Sequence, residues 1–152
     1  MYKIMPSAYI FTHIYLNTMQ QGIQSLHVVG EFIANYGEDP CTKEWEDILD
    51  WAQNHKVVRI VSAGGSPDFD EHMMDTRELA KKYALPYTSF REPDCYDSIT
   101  AFGIIVTPEV VHEIEATRQE IYDNSSIAPA KKQEMYDDFP LVQHLMKFPS
   151  AR

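Results

Sequence analysis

Residues 9 to 36 constrain the fold more than any other part of the chain, because a run that reads as a strand is followed at once by one that reads as a helix. Tyr9 to Asn17 (YIFTHIYLN) carries β-branched and aromatic residues at both parities. A strand wetted on one face alternates, whereas one covered on both does not, so this stretch is expected in the middle of a sheet. In the helix that follows, Thr18 with Gln21 three residues on reads as a capping box. Ile23, Leu26, Gly30 and Ile33 then recur at helical spacing until Tyr36-Gly37 stops the run. Val28, Val29 and Phe32 add apolar surface elsewhere, so the helix is expected to be covered over much of its circumference. Gln20, Gln24, His27 and Glu31, spaced four, three and four apart, form one polar stripe. Such a stripe is either a solvated face or the border of a cleft.

The remaining pattern continues in short elements. Thr42, Trp45, Ile48, Leu49 and Ala52 give a second amphipathic helix, and Lys56 to Ser62 (KVVRIVS) a second buried strand. The turn Ala63-Gly64-Gly65-Ser66-Pro67 ends that strand, and Asp68 with Glu71 opens a third helix that closes at Leu85-Pro86. Tyr87 to Arg91 reads as a short strand, Glu92 to Ser98 as a polar connection, and Thr100 to Val106 as a strand before a helix near Pro108. The order is β-α-α-β-α-β-β-α over residues 1–124. Residues 125–152 form a tail, with short helices at Pro129 to Tyr136 and Leu141 to Lys147, that packs on this domain or on a partner.

Cys41 and Cys95 form no CxxC or Cys/His pair at metal-ligand spacing, so neither a disulfide framework nor a metal site is expected, and a reducing compartment fits. The start of the chain lacks an uninterrupted apolar run and no segment is long enough for a bilayer, so a cytoplasmic protein without membrane contact is expected. Thirteen Lys and Arg against 23 Asp and Glu give a net charge of -10, which repels extended nucleic acid. A small nucleotide is less affected, because a few local donors or one helix N-terminus hold its phosphates.

Two segments could serve a site besides the polar stripe. Glu92-Pro93-Asp94 offers carboxylates that orient or deprotonate water, or else acids that cap a turn. Gly64, Gly65 and Ser66 follow a strand and precede a helix, where α/β sheets hold phosphates, although they match neither a P-loop nor GxGxxG. His13 reads as a hydrogen-bonded core histidine, and His112-Glu113 lacks the second histidine of a zinc-protease motif.

The segment Gln21-Gly22-Ile23-Gln24-Ser25-Leu26-His27-Val28 after a strand resembles the Gly-Lys-x-x-x-Gln-x-x-His-Ala segment of type 2 peptidyl-tRNA hydrolases, with Gln24 and His27 on the matching positions. KVVRIVS, the helix end at Leu85-Pro86, Ser89-Phe90-Arg91-Glu92 and Thr100-Ala101-Phe102-Gly103-Ile104 follow the family order across most of residues 9 to 115. Met19-Gln20 stands where the family has its Gly-Lys pair, and Glu92-Pro93-Asp94 where it has Asp-Ala-Gly. The resemblance implies a three-layer α/β sandwich with a four-stranded mixed sheet and a diverged, phage-type member acting in a host cytoplasm, with a homodimer as the family's common state. It implies a hydrolase acting on a nucleotide-linked bond, without cofactor or metal, through Gln24, His27, Glu92 or Asp94, and Thr100; the residues themselves offer Gln20 and Glu31 of the stripe as ligand contacts, and Gly64, Gly65 and Ser66 either as ligand contacts or as a tight turn that glycine makes easy. The other reading is a phage-type protein that binds and sequesters a nucleotide immune signal without cleaving it.

Overall fold

In the computed structural model, which describes residues 3–137 and 139–148, four strands make one open mixed sheet in the order β2-β1-β4-β3. The strands are β1 (Ser7–Thr12), β2 (Val58–Ser62), β3 (Tyr87–Glu92) and β4 (Ser98–Val106). β1 pairs parallel with β2 and antiparallel with β4, and β3 pairs antiparallel with β4. Six helices accompany them: α1 (Thr18–Tyr36), α2 (Lys43–Asp50), α3 (Asp68–Lys82), α4 (Pro108–Asp123), α5 (Pro129–Asp137) and α6 (Pro140–Met146). No helix among the described residues is long and apolar enough to cross a membrane.

The expected central strand is central, and every residue of β1 is buried. Its side chains divide by parity, as the two-residue period of a strand requires. Tyr9 and Phe11, with Phe102, Ile104 and Val106 of β4, face a core completed by Phe69 and Ala80 of α3, Val110 and Ile114 of α4, and Leu141, Val142 and Leu145 of α6. Ala8 and Ile10, with Ala101 and Ile105, face a smaller core closed by Val28 and Phe32 of α1 and by Ile48 and Trp51. Helices thus cover both faces, and α6 is built into the larger core. The end of the tail, 149–152, lies outside the described residues.

Several boundaries differ from the expectation. β1 stops at Thr12 rather than Asn17, because the chain turns: His13 N–H reaches Thr100 C=O, Ile14 N–H reaches Gly64 C=O and Leu16 N–H returns to His13 C=O. The capping box of α1 is Asn17 with Gln20, not Thr18 with Gln21. The Asn17 side chain accepts from Gln20 N–H at 2.9 Å and the Gln20 side chain accepts from Asn17 N–H at 2.9 Å. α3 begins at Asp68 as expected, but Pro67 is its cap residue and no side chain caps it; Asp68, Asp70 and Glu71 instead place three carboxylates in its first turn.

β2 is an edge strand, not a buried one, with only Val61 fully covered. It also starts later than Lys56, whose left-handed φ of 60° ends a π turn over Trp51–His55. At the other edge, the Tyr36 hydroxyl donates to Tyr87 C=O at 2.8 Å and accepts from Tyr87 N–H at 3.1 Å. Gly103 makes the approach of α1 to the sheet possible: a Cβ there would lie 2.9 Å from Ile10 Cδ1 and 3.0 Å from Val28 Cγ1.

Candidate functional site

α1 runs against the direction of β3, so its residues meet that strand in reverse order: Tyr36 at Tyr87, Asn35 at Thr88, His27 at Phe90 and Gln24 at Glu92. The N-terminal end of α1 therefore lies at the C-terminal ends of β1 and β3. The loop after β2 joins them there through the bond from Ile14 N–H to Gly64 C=O. One end of the sheet thus gathers segments far apart in sequence.

The central contact is between Gln24 and Glu92. Gln24 Nε2 donates to Glu92 Oε2 at 2.7 Å, which fixes the carboxylate's orientation. Gln24 is buried, and its Oε1 has no hydrogen-bond partner in the described protein. Thr100 is 1% exposed and its hydroxyl also has no partner there. A β-bulge produces this placement. Phe90 pairs with Ala101 but Arg91 pairs with Ile99, which leaves Thr100 as the extra residue of β4 beside the end of β3. Its C=O holds His13 N–H at 3.2 Å.

The other expected residues are placed less closely. His27 is exposed and stacks flat on Phe90, with ring centroids 4.4 Å apart and an interplanar angle of 7°. Asp94 is exposed in a short 3-10 turn, Pro93–Cys95, next to Glu92. Gln20 is committed to the α1 cap, and Glu31 lies about three turns further along, where it receives a long 3.5 Å contact from Asn35. Gly64 has a φ of +75°, which glycine adopts without strain. Gly65 C=O accepts Phe69 N–H, and a Cβ at Gly65 would meet Ile14 Cγ2 at 3.3 Å. Ser66 is exposed, and the three carboxylates of the first turn of α3 oppose an anion beside these glycines.

Two residues at this end were not identified as site residues from the sequence. Tyr15 is held by burial above its ordinary pKa, with further contributions from Cys95, to which its side chain hydrogen-bonds, and from Glu92. It thus stays a protonated donor at neutral pH. His13 packs between Tyr15 and Phe69, at centroid distances of 4.3 and 5.0 Å, and burial lowers its pKa while Asp70 works the other way. The imidazole is therefore biased towards its neutral form, and Nδ1 accepts from Tyr15 N–H at 3.4 Å. No sequence signal marked these residues, because Tyr9 to Asn17 reads as continuous strand and hides the turn that delivers them.

Among the described residues, no group of three or more His, Cys, Asp or Glu is arranged to hold a metal ion. A cavity of about 750 Å³ lies beside the site rather than in it, along the outer edge of β3 between α1 and α3. Arg77, Lys81 and Arg91 line it with one carboxylate, Glu44, and with Asn35, Met74 and Ser89, and Lys81 also pairs with Glu78 at 3.0 Å. β3 passes from this basic cavity at Arg91 to the acidic end at Glu92. No protein-family model matches the chain, and no curated protein matches it in sequence.

Proposed function

We propose that this chain is a hydrolase of the type 2 peptidyl-tRNA hydrolase kind, with the corresponding fold, that cleaves an acyl ester or related bond at the end of a nucleotide. The observation that carries the reading is the Glu92 carboxylate oriented by Gln24 at 2.7 Å beside two buried polar atoms, Gln24 Oε1 and Thr100 Oγ1, that have no protein partner. A carboxylate with one oxygen fixed and the other open is suited to take a proton from water. In this reading the water oxygen attacks the ester carbonyl carbon as its proton passes to Glu92. The Thr100 hydroxyl donates to the oxyanion that forms. The carbon–oxygen bond to the nucleotide then breaks, and the leaving oxygen takes the proton that Glu92 received from the water.

Charge decides how such a substrate lies. Phosphates are repelled by Glu92, Asp94 and Asp97, so the acyl end belongs at Glu92 and the phosphates towards Arg77, Lys81 and Arg91 in the adjoining cavity. The cavity's cations replace in this role the lysine that Met19-Gln20 does not supply.

The test is turnover of N-acyl-aminoacyl-tRNA and of small cyclic nucleotides by the wild type, Glu92→Gln and Gln24→Leu. Glu92→Gln preserves the shape and the bond to Gln24 while removing the base, so kcat is expected to fall by about 100-fold or more. Gln24→Leu leaves the base mobile and should lower kcat less. Full turnover in both variants would overturn the assignment. The sequestering reading is favoured by the same phosphate-compatible cavity, and it predicts that the wild type binds a nucleotide and returns it intact.

A further inference from the structure

The end of the sheet that holds Glu92 is opposite in charge to the cavity beside it. Three segments meet there, 13–24, 63–71 and 92–100. Together they carry the carboxylates of Asp68, Asp70, Glu71, Glu92, Asp94 and Asp97, and no lysine or arginine. Asp70 of α3 acts electrostatically on His13, and Glu92 of β3 on Tyr15, so both acidic segments reach the turn that follows β1. His13 adds little positive charge, because burial biases it towards the neutral form. Arg91 borders this end from the cavity side, with one N–H on Asp97 C=O at 3.2 Å. Among the described residues, no three of the acids and histidines are arranged to chelate one ion. Spread around an opening, the carboxylates act through their summed field, which attracts a cation and repels an anion.

A second observation points to a hydrogen-bond donor at the same place. Gln24 is 7% exposed, its Nε2 is engaged by Glu92, and its Oε1 accepts from nothing in the described protein. A buried acceptor left without a donor is costly. Oε1 belongs to the same amide that orients Glu92. A ligand N–H that reaches it therefore stands within one hydrogen bond and one amide width of the carboxylate.

In an ester of an α-amino acid, the nitrogen is two bonds from the carbonyl carbon. An acyl end at Glu92 thus brings its nitrogen to Gln24. A peptidyl ester, blocked at nitrogen, supplies a neutral N–H there, whereas an aminoacyl ester supplies an ammonium group. Both answer Oε1, but only the ammonium answers the charge.

We infer that the substrate is an aminoacyl ester with a free α-ammonium group, selected by the six carboxylates and held by Gln24 Oε1, rather than an N-blocked peptidyl ester. This inference rests on the hydrolase reading, which places the acyl end at Glu92. The Gln24 amide then has two tasks: Nε2 fixes the base and Oε1 the substrate nitrogen, which leaves the open oxygen of Glu92 to the water.

Puromycin tests the charge preference without turnover, since it carries an aminoacyl group on a nucleoside through an amide. Its N-acetyl derivative keeps the N–H and loses the charge. Calorimetry with the full chain at about pH 6, where an α-amino group is protonated, should show puromycin binding about 10-fold more tightly. Added salt should shrink the ratio. Asp70→Asn with Asp94→Asn, both exposed, should lower it by about 3-fold while the affinity for N-acetylpuromycin stays unchanged. Gln24→Leu should weaken both compounds and keep the ratio, because both lose the same acceptor. Equal binding of the two compounds, or a preference untouched by the double substitution, overturns the inference. Initial rates on phenylalanyl-tRNA and N-acetylphenylalanyl-tRNA separate it from the reading beneath it. Faster cleavage of the free ester supports both. Equal or faster cleavage of the N-acetylated ester overturns the inference and leaves the hydrolase reading standing. Cleavage of neither removes the hydrolase reading, and the inference with it.

Discussion

The two faces of the sheet are packed by opposite means. On the side of α3, α4 and α6, large rings interlock: Phe11 stacks on Phe102 at 4.7 Å, while Phe69 and Phe148 meet this pair edge-on at 5.2 and 5.0 Å. On the side of α1, the strands offer Ala8, Ala101 and Gly103, so the helix sits close to the sheet. That closeness lets Gln24 reach the end of β3. Bulk gives one face its rigidity, and smallness gives the other its access to the strand ends. If the proposed reading holds, stability and chemistry fall to different layers of the fold.

Phe102→Ala should have the largest effect on stability. Its ring is fully buried among aromatics that cannot collapse into the space, so a loss of about 3–5 kcal/mol in urea unfolding is expected. A loss under about 1 kcal/mol would break the comparison. Gly103→Ala probes the close-packed face by addition instead of removal. The new Cβ meets Ile10 and Val28 at or below 3.0 Å, and pushing α1 outward should cost about 1–3 kcal/mol. It should also lower turnover by more than its effect on stability explains, because Gln24 moves with the helix.

The smallest effect is read as a slope. Burial lowers the pKa of His144 from 6.5 to about 4, with Lys147 and His72 adding to the shift and Asp75 opposing it, and Nε2 shares a 2.7 Å hydrogen bond with Thr76. Between these values the unfolded chain holds a proton on His144 that the folded one does not, so stability falls as pH drops from 6.5 towards 4. Thermal melts of His144→Gln should show a shallower decline across that window. An unchanged slope would mean that other groups govern the acid limb.

Much of this plan was readable in the sequence because period and punctuation agree. The buried runs of β1 and β4, and the helix starts at Thr42-Lys43 and Thr107-Pro108, follow from apolar pattern and cap chemistry. Failures arise where one pattern has two physical causes. Ile14 and Tyr15 are as β-prone as Ile10 and Phe11, yet their backbone goes into a turn fixed by Thr100 and Gly64, which no local rule encodes. KVVRIVS has the composition of a buried strand but sits at an edge, since strand order is a property of the whole chain. Asn17 and Thr18 both cap well, and the return of the Gln20 side chain decides for Asn17. Gln24, Glu92 and Thr100 could be nominated from the sequence, but the 2.7 Å contact and the bulge that buries Thr100 come from long-range pairing.

The Tyr36 hydroxyl on the outer edge of β3 also bears on solubility. An open sheet invites further strands to add, one molecule after another, and a bare edge is the usual starting point for amyloid-like growth. With one oxygen answering both the N–H and the C=O of Tyr87, the ladder is interrupted at the first step an incoming strand would need. Tyr36 thus occupies, at this position of the β3 edge, the two groups that an added strand would have to pair.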